Sequence, residues 1–542
     1  FISHNLGTVA RLCDRIGVLY AGRLVESGRV GDVFRAPAHP YTRGLLAALP
    51  DLDAPRGVGR SARRLSAIEG TLRPADRLLP GCAFAPRCAH ALSPVCTSTP
   101  IALAPVSAAP TEHRARCARL GFTGSTAVGR EIAAKAGRGL KRVQFAKTPR
   151  MSSYLLFLAI GDLERVSRRS GKVDVGIVVK RGERARAQYA LDAAVRILPF
   201  LQTYFGVEYP LPKLDFIAGP GSSQFFGAME NWGAIFYFER AILVDPKTTT
   251  EGDRRRIFSV IAHEIAHQWF GDLVTMDWWD DLWLNEGYAT WMASKVCDHF
   301  HPEWKMQLDM IDGRDRAMTS DAREGTHPVV QPIRDVLQAS QAFDSITYQK
   351  GAAVIRMLED FVGADAFRKG VRNYFTAHAY GNAVTDDLWR ELEKVSATPV
   401  ADIAHDFTLQ DGVPLITVER TNQGARLTQS RFGMDASREN RHDWRVPVIA
   451  TPMGGGATWR GLVNGGSGTD VAVSRSDALL VNAGQTGYYA VLYDDATFTQ
   501  LVSRFETLPA ADQLGLIHNA RLLGYSGDMP LSRLLQIAQH VS

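Results

Sequence analysis

Two histidines four residues apart, in His263-Glu264-Ile265-Ala266-His267, and Glu286 beyond an eighteen-residue spacer restrict what this chain can fold into more than any other feature. On a helix, positions i and i+4 lie one above the other, so both imidazoles face one point. An apolar stripe over 256–262 leads into the motif, Trp269-Phe270-Gly271-Asp272 follows it, and Glu286 opens a second helical pattern reaching Val296. The fold must therefore set two buried helices face to face. A chance pair of surface histidines is the alternative, but two buried histidines with two glutamates are costly without a metal or other partners. His263, His267 and Glu286 make the three-ligand set of a catalytic zinc site with one position left for water, and Glu264 is placed to take that water's proton. The spacing predicts a zinc metallohydrolase.

The chain is long enough for three or four domains. Its net charge of +5 conceals a division: residues 1–120 hold 16 Arg, no Lys and 8 acidic residues, which leaves the remainder slightly acidic. Those arginines are scattered and not interleaved with aromatics, so no nucleic-acid partner is expected. The longest apolar run, Tyr154–Ile160, is strand-sized, well short of the roughly 18 residues of a membrane span. The chain starts at Phe1 with no readable signal peptide, and the true N-terminus is expected upstream. Five of the six cysteines, Cys13, Cys82, Cys88, Cys96 and Cys117, fall in the first 120 residues. The last four, in a Pro/Ala-rich and loop-like stretch, would suit an iron–sulfur cluster or a second zinc. Two disulfides or four thiols fit the same spacing. Cys297 is expected to pack in the core.

Phe1-Ile2-Ser3-His4-Asn5-Leu6, Cys13-Asp14-Arg15-Ile16, Tyr20-Ala21-Gly22-Arg23, the block from His39-Pro40-Tyr41 to Leu46, and the Gly81–Cys96 cluster occur together in residues 1–119. In combination they resemble the C-terminal part of the ATP-binding subunit of oligopeptide/dipeptide importers of the ABC type. The resemblance implies a partial α/β ATPase fragment, a membrane permease as docking partner, and a γ-phosphate-sensing role for His4. Nucleotide binding needs a glycine-rich loop with its lysine and a Mg²⁺-binding aspartate. No GxxxxGK[ST] occurs in the chain, so this segment is predicted not to bind or hydrolyse ATP by itself.

Further along come Thr148-Pro149-Arg150-Met151-Ser152-Ser153-Tyr154, Tyr209-Pro210-Leu211-Pro212-Lys213-Leu214-Asp215 and Gly227-Ala228-Met229-Glu230-Asn231. The His263–Glu286 pattern follows, then Tyr348-Gln349-Lys350-Gly351, Gln410-Asp411-Gly412-Val413-Pro414 and Gly487-Tyr488-Tyr489. In this order, from about 128 onward, they resemble the aminopeptidase N family of zinc exopeptidases, which are gluzincins. The resemblance implies one zinc ion and removal of N-terminal residues from peptides with a free amino end. It makes Tyr348 the phenol that stabilises the oxyanion. Glu230 becomes the carboxylate that holds the substrate ammonium. Gly227, Ala228, Met229 and Asn231 complete the substrate-binding strand.

The fold expected is multidomain α+β. Residues 1–119 form the importer fragment and 120–139 a junction. A remnant β domain, 140–185, precedes a thermolysin-like zinc peptidase domain, 186–405. A β-sandwich over 412–495 and the start of a helical domain over 497–542 complete the chain. The family's first β domain would be represented only by its last strands, leaving out a second polar anchor for the amine. Ala490 stands where the family's Gly-Tyr-Tyr block continues with Arg. A joined or fragmentary reading frame from a high-GC bacterium, with its seam near 119–130, is the expected origin, and a natural bifunctional fusion the alternative. A bacterial cytoplasmic location is expected, with an exported parent as the other possibility; oligomeric state and the preferred N-terminal residue are not readable. Three functions compete: zinc aminopeptidase, importer ATPase subunit, and a zinc-holding remnant without turnover.

Overall fold

The computed structural model describes residues 13–47, short stretches between 68 and 117, and residues 148–541 apart from 158, 160, 222, 224–226, 340, 435–441, 467 and 475–476. His4 and the 120–139 junction lie outside the described residues. The chain divides into two compact units, Phe1–Ala146 and Lys147–Ser542. No helix among the described residues is long and apolar enough to cross a membrane.

In the first unit, strands Arg15–Tyr20 and Arg23–Arg29 form a hairpin joined by Ala21-Gly22, both at positive φ (53° and 78°), the geometry of a tight two-residue hairpin loop. Arg114–Ala115 and Ala104–Pro105 extend the sheet, every pair antiparallel. Beneath it, the fully buried Glu26 accepts the backbone N–H groups of Ala38 (2.7 Å) and His39 (2.8 Å) and pairs with His113 Nε2 (2.7 Å). The His39-Pro40-Tyr41 block is thereby a structural node. Burial drives His39 down to about 4, although Glu26 opposes the shift. Where an α/β fragment was expected, the described strands of this unit contain no parallel pair.

The second unit begins with a five-stranded sheet. Its strands are β1 (Leu163–Ser170), β2 (Val173–Lys180), β3 (Lys213–Gly219), β4 (Ala228–Met229) and β5 (Ala234–Phe238), in the order β1-β2-β3-β5-β4. β2, β3 and β5 run parallel, with β1 and β4 antiparallel at the two edges. Helix α1 (Gln188–Phe205) buries Ala190, Leu191, Ala194, Ile197, Leu198 and Leu201, the residues spaced to form one face, and ends on Gly206 in the left-handed region (φ 68°). Of the strands expected over 140–182, the described residues between 148 and 162 form none. Ser153–Leu155 is a single 3₁₀ turn and β1 starts only at Leu163. An apolar run by itself does not distinguish a segment that pairs from one that plugs; here Leu155 enters the core and Tyr154 turns into the site.

Helix α2 (Glu251–His267) starts at a reciprocal cap, in which the Thr250 hydroxyl accepts the Asp253 N–H and the Asp253 carboxylate accepts the Thr250 N–H. It packs against α3 (Leu282–Phe300), with α4 (Met306–Asp321) and α5 (Gly351–Val362) behind. Further helices reach Thr408. A four-stranded and a three-stranded sheet follow between Val413 and Tyr493, and their inward residues join one continuous apolar core with the helices. Helices return at Asp495–Ser503, Ala510–Ser526 and Ser532–Ala538.

Candidate metal centre and active site

The last turn of α2 and the fifth residue of α3 bring the three donors together. His263 Nε2 and His267 Nε2 lie 3.0 Å apart, and Glu286 Oε2 is 3.4 Å from each. Ligand atoms about 2.0–2.1 Å from a tetrahedral zinc ion are separated by about 3.3 Å, so the donors already have the spacing of a ligand set. His267 Nδ1–H donates to the Phe270 carbonyl (3.0 Å), which leaves the Nε2 lone pair directed at the common point.

The charges around that point also fit a cation. Four buried carboxyls, Glu230, Glu264, Asp272 and Glu286, face two imidazoles. Burial, then nearby acids, pushes Glu264 and Asp272 well above the ordinary carboxylate range, with His267 opposing in both cases. Burial also raises Glu230. Glu286 goes the other way: burial opposes it, but His267 and His263 hold it low. His267 is raised well above the ordinary imidazole value because Glu286 and Glu230 outweigh its burial. A divalent ion among these donors would offset the excess negative charge. Among the described residues the donor groups close enough to share one ion are His263/His267/Glu286 and Glu230/Glu264/His267.

The edge strand supplies the next layer. Ala228 and Met229 pair with Tyr237 and Phe236 on one side, and Phe238 N donates to Gly227 O (3.0 Å), so among the described residues the outer edge of β4 has no neighbour in the sheet. Asn231 Nδ2 donates to Leu155 O (3.3 Å) and anchors the strand's end. Tyr348 lies in a π-helical turn, Ile346–Lys350, with its ring stacked 6.2 Å from that of His263 and its phenol within the electrostatic reach of Glu286. Burial, then Glu286, raises this phenol's pKa well above 10, so it stays a donor at neutral pH.

Four polar residues outside the expected set complete the site. Tyr154 donates its hydroxyl to Glu230 Oε1 (3.3 Å) and accepts from Asn285 Nδ2 (3.3 Å), which ties the Glu230 carboxylate to the helix of Glu286. Gln268 donates to Glu230 O (3.1 Å) and Asp272 Oδ2 (2.7 Å) while accepting from Gly233 N (3.1 Å), fastening the edge-strand loop to α2. Both Gln268 and Asp272 stand within five residues of His267, the one signal in the sequence that could have found them.

Cys82, Cys88, Cys96 and Cys117 do not belong to the donor groups above. No disulfide joins them. Cys82 N–H donates to Cys96 O (2.7 Å), and Cys82 Sγ lies 3.7 Å from His39 Nε2. Burial raises the Cys82 thiol, the Phe84 backbone opposes, and the other three thiols add to the rise.

Two helices presenting His-x₃-His and a carboxylate beside a sheet with an antiparallel edge strand define a zinc-peptidase type of site. Residues 189–407 match the profile described as the Peptidase family M1 domain, and 478–542 match the ERAP1-like C-terminal domain. The chain carries a peptidase family M1 domain. Residues 25–96 match a third profile, the C-terminal region of the oligopeptide/dipeptide transporter. The chain is 38% identical over 399 residues to tricorn protease-interacting factor F2 of Thermoplasma volcanium, covering 73% of this chain and 49% of that one. It is 36% identical over 408 residues to aminopeptidase M1-A of Oryza sativa subsp. japonica, covering 73% and 46%. With probable aminopeptidase 2 of Sulfurisphaera tokodaii the identity is 39% over 356 residues, covering 66% and 45%. The chain thus spans about half the length of the curated relatives it matches.

Proposed function

We propose that the second unit is a zinc aminopeptidase that cleaves the first peptide bond of peptides with a free N-terminus. The observation that carries this reading is the convergence of three donors spaced 3.0–3.4 Å apart on a pocket that also holds Glu264 and Glu230. Zinc held by His263, His267 and Glu286 would supply Lewis acidity to the scissile carbonyl and the attacking water. Glu264 accepts the proton of that water and returns it to the leaving amine. Tyr348 donates to the developing oxyanion. Glu230 binds the α-ammonium by charge-assisted hydrogen bonds, with Tyr154 and Asn285 holding its carboxylate in place. Gly227 and Ala228 pair with the substrate main chain, and Met229 and Asn231 fix the strand's path.

Turnover of aminoacyl-p-nitroanilides tests the proposal. Glu264→Gln is expected to keep its zinc and lose its rate, whereas Glu286→Ala loses both. Unchanged turnover in Glu264→Gln would overturn the assigned base. Equal turnover of N-acetylated and free substrates would overturn the role of Glu230. For residues 25–96 we infer descent from a peptide-transporter subunit, supported by the profile match; no ATPase role is assigned to them.

A further inference from the structure

We propose that a buried knot, Lys350–Asp321–Tyr488, positions Tyr348 by locking the π-helical turn that carries it; the inference rests on the role given to Tyr348 above. Lys350 and Asp321 are wholly buried, with Nζ and Oδ2 2.7 Å apart. The ammonium donates twice more, to Gln410 O (3.3 Å) and Gly412 O (3.4 Å), so all three of its protons are engaged. Asp321 accepts from Tyr488 OH (3.0 Å), Gly412 N (2.9 Å) and Thr326 Oγ1 (2.9 Å). Three separate sequence blocks, Tyr348–Gly351, Gln410–Pro414 and Gly487–Tyr489, thus meet at Asp321.

A buried ion pair adds little net stability over a well-packed apolar pair, so its use lies in fixing one arrangement. What it fixes here is a turn in an uncommon register, with Gly351 N bonded back to Ile346 O. Asp344 secures the other end, its Oδ1 accepting Ile346 N (2.9 Å) and Thr347 N (3.1 Å). Tyr348 is the middle residue. If the turn relaxed to α-helical register, the extra residue would be absorbed at the cost of about 100° of rotation, one residue's share of a 3.6-residue turn. The phenol would then leave Glu286 and His263.

The test is a double-mutant cycle on the zinc-loaded full chain. Tyr488→Phe and the paired replacement Lys350→Met with Asp321→Leu, which leaves no uncompensated buried charge, are each combined with Tyr348→Phe. On the Tyr348 background each is expected to lower kcat about 10- to 100-fold, with KM within about twofold and zinc content unchanged. On the Tyr348→Phe background they are expected to cost almost nothing more, because their effect runs through a hydroxyl already gone. Parent-like kcat in Tyr488→Phe, or equal losses on both backgrounds, would overturn the proposal. If Tyr348→Phe alone turns over like the parent, it is the role of Tyr348 that fails. If Tyr348→Phe is slow while the knot variants are not, only the knot's role fails.

Discussion

Replacing Gly287 by alanine examines whether the separation of two helices sets the chemistry. Gly287 follows the proposed ligand Glu286 on α3 and crosses Gly351, the residue after Lys350, at the start of α5. A Cβ added at Gly287 would stand 3.2 Å from Gly351 C, 3.3 Å from Gly351 Cα and 3.4 Å from Ala352 N. All three are backbone atoms, so no rotamer change relieves the contact. Ordinary carbon contacts lie near 3.5–4.0 Å, which requires the helices to part by roughly half an ångström. Overpacking of this kind costs about 1–3 kcal/mol. Alanine's better helix propensity offsets up to about 1 kcal/mol of that. A net loss of about 0–3 kcal/mol is expected in denaturant unfolding. Because an error of 1 Å in placement can cost about 100-fold, a shift half as large between Glu286 and Tyr348 should lower kcat about tenfold. Gly252→Ala is the control: its nearest neighbour is Thr250 Oγ1 at 3.7 Å, so it should leave the rate alone. A Gly287→Ala protein as fast as the parent would refute the reasoning.

Three further outcomes are expected. His327 Nε2 bonds Asp344 Oδ2 (2.7 Å), which raises the histidine; burial opposes the lowering of the aspartate, but this contact and the Thr347 and Ile346 N–H groups together hold it low. The raised His327 contributes stability in full below about pH 6.5 and loses it as pH rises through the folded-state value; the lowered Asp344 contributes above about pH 3.9 and loses it as pH falls. The melting-temperature advantage of the parent over His327→Gln should therefore shrink on the alkaline side of pH 6.5, and a constant difference would contradict this. Trp269 is fully buried against Phe205 (5.3 Å) and Tyr209 (6.0 Å) and donates to Val207 O (3.1 Å). Its replacement by alanine should cost about 3–5 kcal/mol in denaturant unfolding, and a loss below about 1 kcal/mol would show that the core closes over the gap. Chelation should lower the melting temperature and added zinc restore it, since binding to the folded donor set is linked to folding; an unchanged transition would refute that linkage.

How much of this was legible follows from the range of each interaction. His263 and His267 are four residues apart on one helix, so helical geometry alone aligns them, and Glu286 is close enough in sequence to be read with them. Glu230 and Tyr348 carry no local signal and were reached only through family resemblance. Tyr154 and Asn285 meet across 131 positions, a pairing that no spacing rule anticipates. The run from Tyr154 to Ile160 has the length of a strand, yet its described residues form none, because hydrophobicity reports burial and not hydrogen-bonding partners. Lys350, Gly412 and Tyr488 stood in quoted motifs, yet their common purpose was invisible until the chain had folded them onto Asp321.

The short strand β4 has a wider consequence. A peptide laid along its open side would be gripped through amide groups that almost every residue shares, so the grip itself reads no sequence. On the proposed function it would act as a ruler that measures from the amino terminus, and discrimination between substrates would pass to whatever walls enclose the first side chain.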